Sequence, residues 1–396
     1  MKTKIRRIIR FILFGLLIAL GLISAYAVVV ISMNARNRFQ PAPVESLKIH
    51  EGRRAFLFPD VNMSIISWNL GYCTSSAEQK QFNRFGFTFR PDKEAYKATF
   101  SSVLKIISAM DSVDFLLLQD VDFNSRKSFY TAQDSALIKL LKRKSSVSAI
   151  NKHVRFEFFP LFNPALKANS GMMFFSRYIP EWAQRISFPD DNNWFSDLTA
   201  SDRCFTIIRY DLENGKDLYV INIRNATNNE PAEMRIAEWQ YLRSYMIDLY
   251  GRGHYVMAGG SWNQNPAGYS VRKITSGDKA VGLPAMVGDQ FFPKGWKWIY
   301  DSTLPTERDF SDPYQKGTTR TTISDFFICS PNIKVNTVKT IPMDFAHTSH
   351  NPIYMNISLV PDSSCCDSTK VYKIMKERMA QEKKNKKKSK PKSESK

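Results

Sequence analysis

The feature that most constrains this chain is a run of 23 residues near its N-terminus, 11–33, that contains no charged side chain. A helix of this length, at about 1.5 Å per residue, can cross about 30 Å of hydrocarbon. A chain in lipid must satisfy its own backbone hydrogen bonds, and the sequence therefore predicts a transmembrane helix here. The ten residues before the run contain no acid and carry five basic side chains: Lys2, Lys4, Arg6, Arg7 and Arg10.

A cleaved signal peptide is the alternative, because the tripeptide Ala-Tyr-Ala at 25–27 resembles a peptidase site. The apolar residues continue past that site to Met33, and we therefore favour an uncleaved anchor. Five positive charges precede the span, whereas Arg36 and Arg38 follow it, which predicts a cytoplasmic flank at 1–10. The expected localisation is a single-pass membrane protein with its folded domain on the extracytoplasmic side.

The net charge of +19 is concentrated at the two ends of the chain. Residues 1–10 contribute +5, residues 370–396 contribute +9 (12 Lys or Arg against 3 Glu), and +5 is left for the 359 residues between them. A basic groove for a nucleic-acid backbone is therefore not indicated, and nucleic acid is the less favoured partner. The Lys-rich tail, 361–396, is expected to be disordered, with contact to acidic surfaces as the alternative.

Residues 34–60 are polar and contain Pro41 and Pro43, which predicts a linker between anchor and domain. From 61 to 360, short apolar strands alternate with helical segments, and 281–322 is expected to be a long irregular loop. The five cysteines show no CxxC spacing, so neither a zinc site nor a disulfide framework is indicated. Helices are predicted at 93–110 and 231–250. Strands are predicted at 64–68, 114–119, 171–176, 204–210, 218–223, 255–258, 323–329 and 353–359.

Several of these strands end in polar residues, a pattern typical of an α/β active site. Each residue alone has a structural explanation, such as a turn or a helix cap, and the ordered series carries the functional prediction. In chain order the series is Asn69, Asp120, Asp122, Asn222, Arg224, Ser261, Asn263, Asp325, Ser349 and His350.

The series resembles the endonuclease/exonuclease/phosphatase superfamily, which are metal-dependent phosphoesterases that include deoxyribonuclease I. The resemblance covers about residues 61–360, where Trp68-Asn69 and Gln119-Asp120-Val121 match the ends of the family's first two strands. It implies an α/β fold, a two-sheet sandwich flanked by helices, with the site where both sheets present their loops. It also implies roles for individual residues: His350, Asp325, Asn263 and Asn69 in catalysis, Arg224 and Asn222 in phosphate binding, and Asp120 as metal ligand.

The sequence departs from the family pattern at four positions. Ser261 and Ser349 stand where the family has Asp, Asp120 stands for a Glu, and Arg224 replaces a His that faces the phosphate. A serine has no anionic form at neutral pH, so it cannot replace a carboxylate as a base or as a strong cation ligand. Weakly bound Mg²⁺ or Mn²⁺ is therefore the expected cofactor.

Three functions from different classes follow from these observations. An impaired phosphoesterase that still binds a phosphorylated small molecule or lipid headgroup is favoured slightly over an active, divergent Mg-dependent phosphodiesterase or phosphatase. In the active alternative, Asp122 or Asp325 would compensate for the lost acids. Both are favoured over an anchored structural module, because polar residues such as Asn69 and His350 have little use in a core.

Overall fold

The structure is a computed structural model of the 396-residue chain. It describes all residues except 1, 37–38, 54, 80–89, 158–165, 190–201, 228–229, 275–276, 278, 284–286 and 361–396. The disorder expected of the tail at 361–396 therefore concerns residues outside the described part.

The described residues form helices and strands that are numbered here in chain order. The helices are α1 (Lys2–Arg36), α2 (Lys93–Ala109), α3 (Gln133–Leu140) and α4 (Ala232–Gly251). The first eight strands are β1 (Val44–Ser46), β2 (Met63–Asn69), β3 (Phe115–Asp122), β4 (Ser145–Glu157), β5 (Leu166–Ser176), β6 (Trp182–Ser187), β7 (Cys204–Asp211) and β8 (Asp217–Arg224). The others are β9 (Tyr255–Ser261), β10 (Lys279–Ala280), β11 (Lys297–Ile299), β12 (Glu307–Arg308), β13 (Arg320–Thr322), β14 (Asp325–Cys329), β15 (Ile333–Thr340) and β16 (Ile353–Leu359).

Helix α1 has most of its apolar side chains on the outside. In its most apolar window 6% of the residues are buried, and side chains such as Phe11 and Leu22 are 77% and 68% exposed. Among the residues that the structure describes, α1 is the helix long and apolar enough to cross a membrane. A contiguous apolar surface of this size is not expected to face water.

Two large sheets pack face to face to form the centre of the domain. One sheet has seven strands in the order β1-β6-β7-β8-β9-β14-β11, and the other has six in the order β15-β16-β2-β3-β5-β4. Apolar side chains from both inner faces, such as Phe115, Met257 and Met355, form the core between them. The predicted two-sheet α/β sandwich is confirmed.

Helices cover the outer faces of both sheets. Helix α2 begins at Asp92, whose carboxylate accepts hydrogen bonds from two backbone N–H groups, and it packs Val103 and Ile107 on the six-stranded sheet. Helix α4 packs Trp239 and Leu242 on the seven-stranded sheet. The predicted helices and the eight predicted strands are present within a few residues of their expected bounds. Helix α3 and strands β4 and β15, which the sequence analysis did not predict, complete the six-stranded half.

Much of the segment predicted as a linker, 34–60, belongs to the domain. Strand β1 pairs with β6 at the edge of the seven-stranded sheet, His50 pairs with Ser146, and Leu57 is 5% exposed in the core between the sheets. The linker prediction was wrong because a short edge strand with few apolar residues has the same composition as a linker. The expected irregular loop at 281–322 likewise contains three short strands, β11, β12 and β13.

Gly260 in β9 is required by the close approach of the neighbouring strand. Its φ is +152°, and a Cβ there would lie 1.9 Å from the carbonyl oxygen of Ile223 in β8. We expect Gly260→Ala to cost about 1–3 kcal/mol or more, because backbone atoms must move to admit the methyl group. The measurement is urea unfolding of the full chain in detergent. Gly251→Ala, where no atom lies within 4 Å of the added carbon, is the control and should change stability little. Equal losses in both variants would contradict this account.

Candidate functional site

The polar residues predicted at strand ends meet at one end of the sandwich. In the six-stranded sheet, Asn69 at the end of β2 is paired with Gln119 in β3. In the seven-stranded sheet, Ser261 at the end of β9 is paired on one side with Arg224 and on the other with Asp325. The two sheets therefore present these residues to a common cleft.

Asn222 joins the two sheets beneath this cleft. Its amide oxygen accepts a hydrogen bond from Gln119 Nε2 at 2.7 Å, and its amide nitrogen donates to the carbonyl oxygens of Leu118 at 3.2 Å and Met173 at 3.0 Å. The side chain is fully buried. Asn222, which the resemblance assigned to phosphate binding, links the two sheets through these three hydrogen bonds.

Asp120 is the centre of a dense polar cluster. It lies in β3 with φ +50°, at an irregularity in the pairing of β3 with β5. Its Oδ2 accepts a hydrogen bond from Asn69 Nδ2 at 3.0 Å. Its Oδ1 accepts from the Tyr72 hydroxyl at 3.0 Å and lies 3.0 Å from Arg224 Nε. Both carboxylate oxygens of the expected metal ligand are thus engaged by other side chains.

The charges around Asp120 keep it ionised. Burial acts to raise the pKa of Asp120, but Arg224 and Lys127, with the hydrogen bonds from Asn69 and Tyr72, bring that pKa below its ordinary value. Burial likewise acts to lower the pKa of Arg224, and the Asp120 carboxylate raises it above its ordinary value. The two groups form a buried ion pair, with side chains that are 20% exposed for Arg224 and 7% for Asp120.

Tyr72 and Lys127 are members of the site that sequence reasoning missed. Tyr72 has φ +58° in a tight loop after β2, and its ring lies under the ammonium group of Lys127. Burial and the Asp120 charge raise the pKa of Tyr72 well above its ordinary value, so the hydroxyl stays protonated and donates. The sequence signal for a tight turn at Tyr72 was Gly71, which stands two residues after Asn69 and has φ +50°.

Another missed residue, Arg308, holds the rim of the cleft. Its guanidinium is 2% exposed and donates to backbone carbonyl oxygens of two loops that lie far apart in the sequence. The acceptors are those of Ser75, Ser76, Gln79, Asp309 and Asp312, at 2.7–3.4 Å. Burial lowers the pKa of Arg308 to about 10. Arg308 therefore acts as a buried tie between loops.

His350 and Asp325 form a close pair on the other side of the cleft. His350 Nδ1 lies 2.8 Å from Asp325 Oδ2, and both residues are buried. Burial acts to lower the pKa of His350, but Asp325, Glu307 and Asp120 together raise it to about 9. The imidazole is therefore protonated at neutral pH. It can donate a hydrogen bond there, but it has no free lone pair with which to act as a base.

This pKa predicts how stability depends on pH. The folded pKa of about 9 exceeds the ordinary value of 6.5, so the stabilisation from protonated His350 is complete below pH 6.5 and is lost as pH rises through 9. We expect the thermal midpoint of the full chain in detergent to fall across this window, and His350→Gln to remove that fall. His347→Gln, on the same loop, is the control and should keep it. A midpoint that rises over the same window would contradict the assignment.

Glu307 adds a carboxyl group that sequence reasoning did not anticipate. It lies in β12, with its backbone bridged to that of His350. Burial raises the pKa of Glu307, although the positive charge of His350 opposes this. Asp122, considered as a compensating acid, has no solvent exposure, and burial raises the pKa of its carboxyl. Asp122 is therefore closed to a ligand in the cleft, whereas Glu307 belongs to the His350 cluster.

The two serines at family Asp positions have different surroundings. Ser261 is fully buried, and its Oγ has no hydrogen-bond partner among the described residues. Ser349 is half-buried and is fixed through its backbone, whose N–H donates to Ser75 Oγ at 3.0 Å. Asn263, with φ +54°, donates its side-chain amide to the carbonyl oxygen of Asn225 at 2.6 Å. Ser261 ends β9 of the seven-stranded sheet, whereas Ser349 lies in the loop that precedes β16 of the six-stranded sheet.

These residues do not fit a divalent cation of the kind that the resemblance implies. Asp120 is the one carboxylate at a family ligand position, and it is paired with the Arg224 guanidinium. Ser261 and Ser349 supply no negative charge. Across the described ranges, no group of three His, Cys, Asp or Glu side chains is arranged to hold a metal ion. Mg²⁺ prefers carboxylate oxygens, and here an arginine already neutralises the carboxylate.

Comparison with known proteins places this geometry in a family. A model described as the Endonuclease/Exonuclease/phosphatase family matches residues 66–343. No curated protein matches the chain. Similar solved structures include TDP2 from Caenorhabditis elegans, with 15% identity, a TM-score of 0.47, and coverage of 75% of this chain and 74% of that one. An endonuclease/exonuclease/phosphatase from Bacteroides vulgatus has 13% identity and a TM-score of 0.48, covering 76% of this chain and 99% of that one.

The human Nocturnin catalytic domain with bound sulfate anion has 12% identity and a TM-score of 0.46, and the alignment covers 79% of this chain and 97% of that one. The family model spans more than half of this chain, including the strands that carry Asn69, Asp120, Arg224, Ser261 and Asp325. The chain therefore belongs to the endonuclease/exonuclease/phosphatase family.

Proposed function

We propose that this protein is a membrane-anchored member of the family that binds a phosphorylated ligand without a divalent cation and hydrolyses it poorly. The observation that carries the proposal is the 3.0 Å contact between Arg224 Nε and Asp120 Oδ1. In this arrangement a guanidinium group holds the place at Asp120 where the family resemblance implies a metal ion. The cleft keeps positive charge without a metal ion.

A phosphate group suits the remaining side chains. Arg224 and protonated His350 supply positive charge on opposite sides of the cleft, and Lys127 adds a third cation near Asp120. The buried Ser261 Oγ lies beside Arg224 in the sheet and has no hydrogen-bond partner among the described residues. An arginine fork matches phosphate geometry and stays charged at every relevant pH. A cleft that has lost two acids and gained an arginine favours anions.

The same substitutions weaken hydrolysis. A general base typically contributes about 10²–10⁴ in rate, and the serines at 261 and 349 offer no base. His350 is protonated near neutral pH, so it can stabilise negative charge on a phosphate but cannot accept a proton from water. Binding is therefore expected to survive where turnover does not.

Anchoring through α1 is part of the proposal. Its apolar side chains are exposed over a length that fits a bilayer, and five basic residues precede the span. The positive-inside tendency puts those residues in the cytoplasm and the domain on the other side. Phosphorylated small molecules and lipid headgroups on that side are the proposed ligands.

An active phosphodiesterase or phosphatase is the second candidate, and one observation favours it. Glu307 brings a carboxyl group to the His350–Asp325 pair, close enough for its charge to affect the pKa of His350. A ligand that displaced this carboxyl toward water would lower its pKa and leave it able to act as a base.

The test compares binding and turnover in the full chain in detergent. We expect inorganic phosphate to bind with the same affinity in EDTA and in Mg²⁺, and Arg224→Ala to weaken that binding at least tenfold, about 1.4 kcal/mol. Arg209→Ala is the control, because Arg209 in β7 is paired with Tyr219 of β8 and not with the end of β8 that carries Arg224. With bis-(p-nitrophenyl) phosphate, we expect no turnover that Mg²⁺ or Mn²⁺ stimulates. Metal-stimulated turnover that His350→Ala or Glu307→Gln abolishes would establish the active alternative.

A further inference from the structure

The C-terminal part of α1 packs directly on the edge of the six-stranded sheet. Tyr26, Val30 and Asn34 recur every four residues and so lie on one face of the helix. The Tyr26 ring meets the edge of the Phe156 ring at 6.1 Å between centroids, and Val30 and Asn34 are 6% and 4% exposed. Phe156 lies near the end of β4, the edge strand. Helix α1 and the domain are thus packed against each other through buried side chains.

Asn34 closes the hydrogen-bonding edge of β4 at this contact. Its side-chain nitrogen donates to the carbonyl oxygen of Phe156 at 3.0 Å, and its side-chain oxygen accepts from the Phe156 N–H at 2.9 Å. An open strand edge in contact with lipid leaves backbone groups unsatisfied, at a cost of several kcal/mol each. The Asn34 amide pairs both groups of Phe156, which is what a strand edge needs at a bilayer.

The contact lies inside the apolar span of α1. Tyr26 precedes Met33, the last uncharged residue of the span, by about 10 Å along the helix axis at 1.5 Å per residue. Arg36 and Arg155 line the groove between helix and strand, together with Val28, Val29 and Met33. Long basic side chains at such a depth extend their charged ends to the phosphates of the headgroups.

The C-terminal end of β4 and the start of β5 lie at the end of the sheet that carries the cleft. Asp122, two residues after Asp120, is paired with Ser170, and β5 continues past that level to Leu166. From α1 the chain runs back along β4, since the Phe39 ring lies 5.6 Å from that of His153. The helix therefore leaves the domain at the cleft end.

We infer that the open edge of β4 around Arg155 and Phe156 and the C-terminal half of α1 form one bilayer-docking surface. This surface turns the cleft end of the domain toward the lipid headgroups. The occupant of the groove around Arg36 and Arg155 is the lipid of the leaflet on the domain's side. The inference rests on the proposed anchoring by α1 and adds a fixed orientation of the domain to it.

The experiment uses the full-length protein and measures how close three of its residues lie to the acyl chains of the lipid. In a Cys365→Ser/Cys366→Ser background, Cys73, Cys204 and Cys329 are buried and unreactive. Single cysteines then carry an environment-sensitive fluorophore: Leu16→Cys within the span, Arg155→Cys at the proposed surface, and Lys334→Cys as control. Lys334 is exposed on β15, at the opposite edge of the sheet and near its other end. The protein is reconstituted in phosphatidylcholine/phosphatidylglycerol vesicles with or without nitroxide-labelled acyl chains.

We expect nitroxide lipid to quench the labels at 16 and 155 severalfold more than the label at 334. Adding Asn34→Leu should reduce quenching at 155 and leave quenching at 16 unchanged, because it removes both hydrogen bonds to Phe156. Quenching at 155 as weak as at 334, with 16 still quenched, would overturn the docking surface while leaving the anchor intact. No quenching at 16 would overturn the anchor and the docking surface together.

Discussion

Replacing Arg224 with alanine is expected to lower the free energy of unfolding by about 3–5 kcal/mol, the usual cost of removing one partner of a buried ion pair. The Asp120 carboxylate would keep its hydrogen bonds from Asn69 and Tyr72 but lose the charge that opposes its burial. Its pKa would rise, and the variant would become less stable mainly at neutral and higher pH. Urea unfolding of the full chain in detergent measures the effect.

The double variant Arg224→Ala/Asp120→Asn is the matched control. It removes both charges, and the amide that replaces the carboxylate can still pair with neighbours, so it should be more stable than Arg224→Ala alone. A loss below about 1 kcal/mol in Arg224→Ala, the range of exposed pairs, would show that the contact with Asp120 is not the buried ion pair described here.

The variant Arg224→His/Ser261→Asp/Ser349→Asp is expected to hydrolyse bis-(p-nitrophenyl) phosphate with Mg²⁺ at least about 10²-fold faster than the natural chain. The two aspartates return negative charge to the family positions on both sides of the cleft. The histidine removes the guanidinium from Asp120, which then becomes available to a cation. Initial rates with Mg²⁺ and with EDTA are the measurement.

The comparison that decides this prediction is Ser261→Asp/Ser349→Asp with Arg224 retained. Arg224 is paired with position 261 in the sheet, so its guanidinium would lie beside the new aspartate as well as Asp120 and compete with a cation for both. We expect little metal-stimulated activity in this variant. If it proves as active as the triple variant, the guanidinium does not block the metal position, and the lost acids alone account for impairment.

The sequence predicted the fold well where apolar periodicity was strong. Buried strands such as β3 and β8, and helix α2, follow directly from such patterns, whereas helix α4 was predicted from Pro231 at its start and Gly251 at its end. Strand β4 was missed because its thirteen residues mix serine, lysine and arginine with apolar side chains. Strand β15 was missed because it is an edge strand whose exposed positions carry lysine and asparagine. Edge strands need few apolar residues, so their sequences resemble loops.

The members of the candidate site were predicted better than their contacts. Asn69, Asp120, Arg224, Ser261, Asp325 and His350 were all named from strand ends, and the two sheets bring them to one cleft. The ion pair between Arg224 and Asp120 was not foreseen, because it depends on the positive φ of Asp120 and on which sheet strands face one another. The hydrogen bonds of the Asn222 side-chain amide to Gln119 and two carbonyl groups depend on the same long-range packing.

The connection between α1 and β1 has a consequence for how a ligand is found. Seven residues separate Arg36 from Val44, and Phe39 and Pro43 among them already contact the domain, so the proposed anchor would have almost no slack. A catalytic or binding head on a long tether samples a volume of solution, whereas this one would move only as its helix diffuses laterally. For the proposed lipid-headgroup ligand, encounters would then be a two-dimensional search, governed by the surface density of that ligand and not by a bulk concentration.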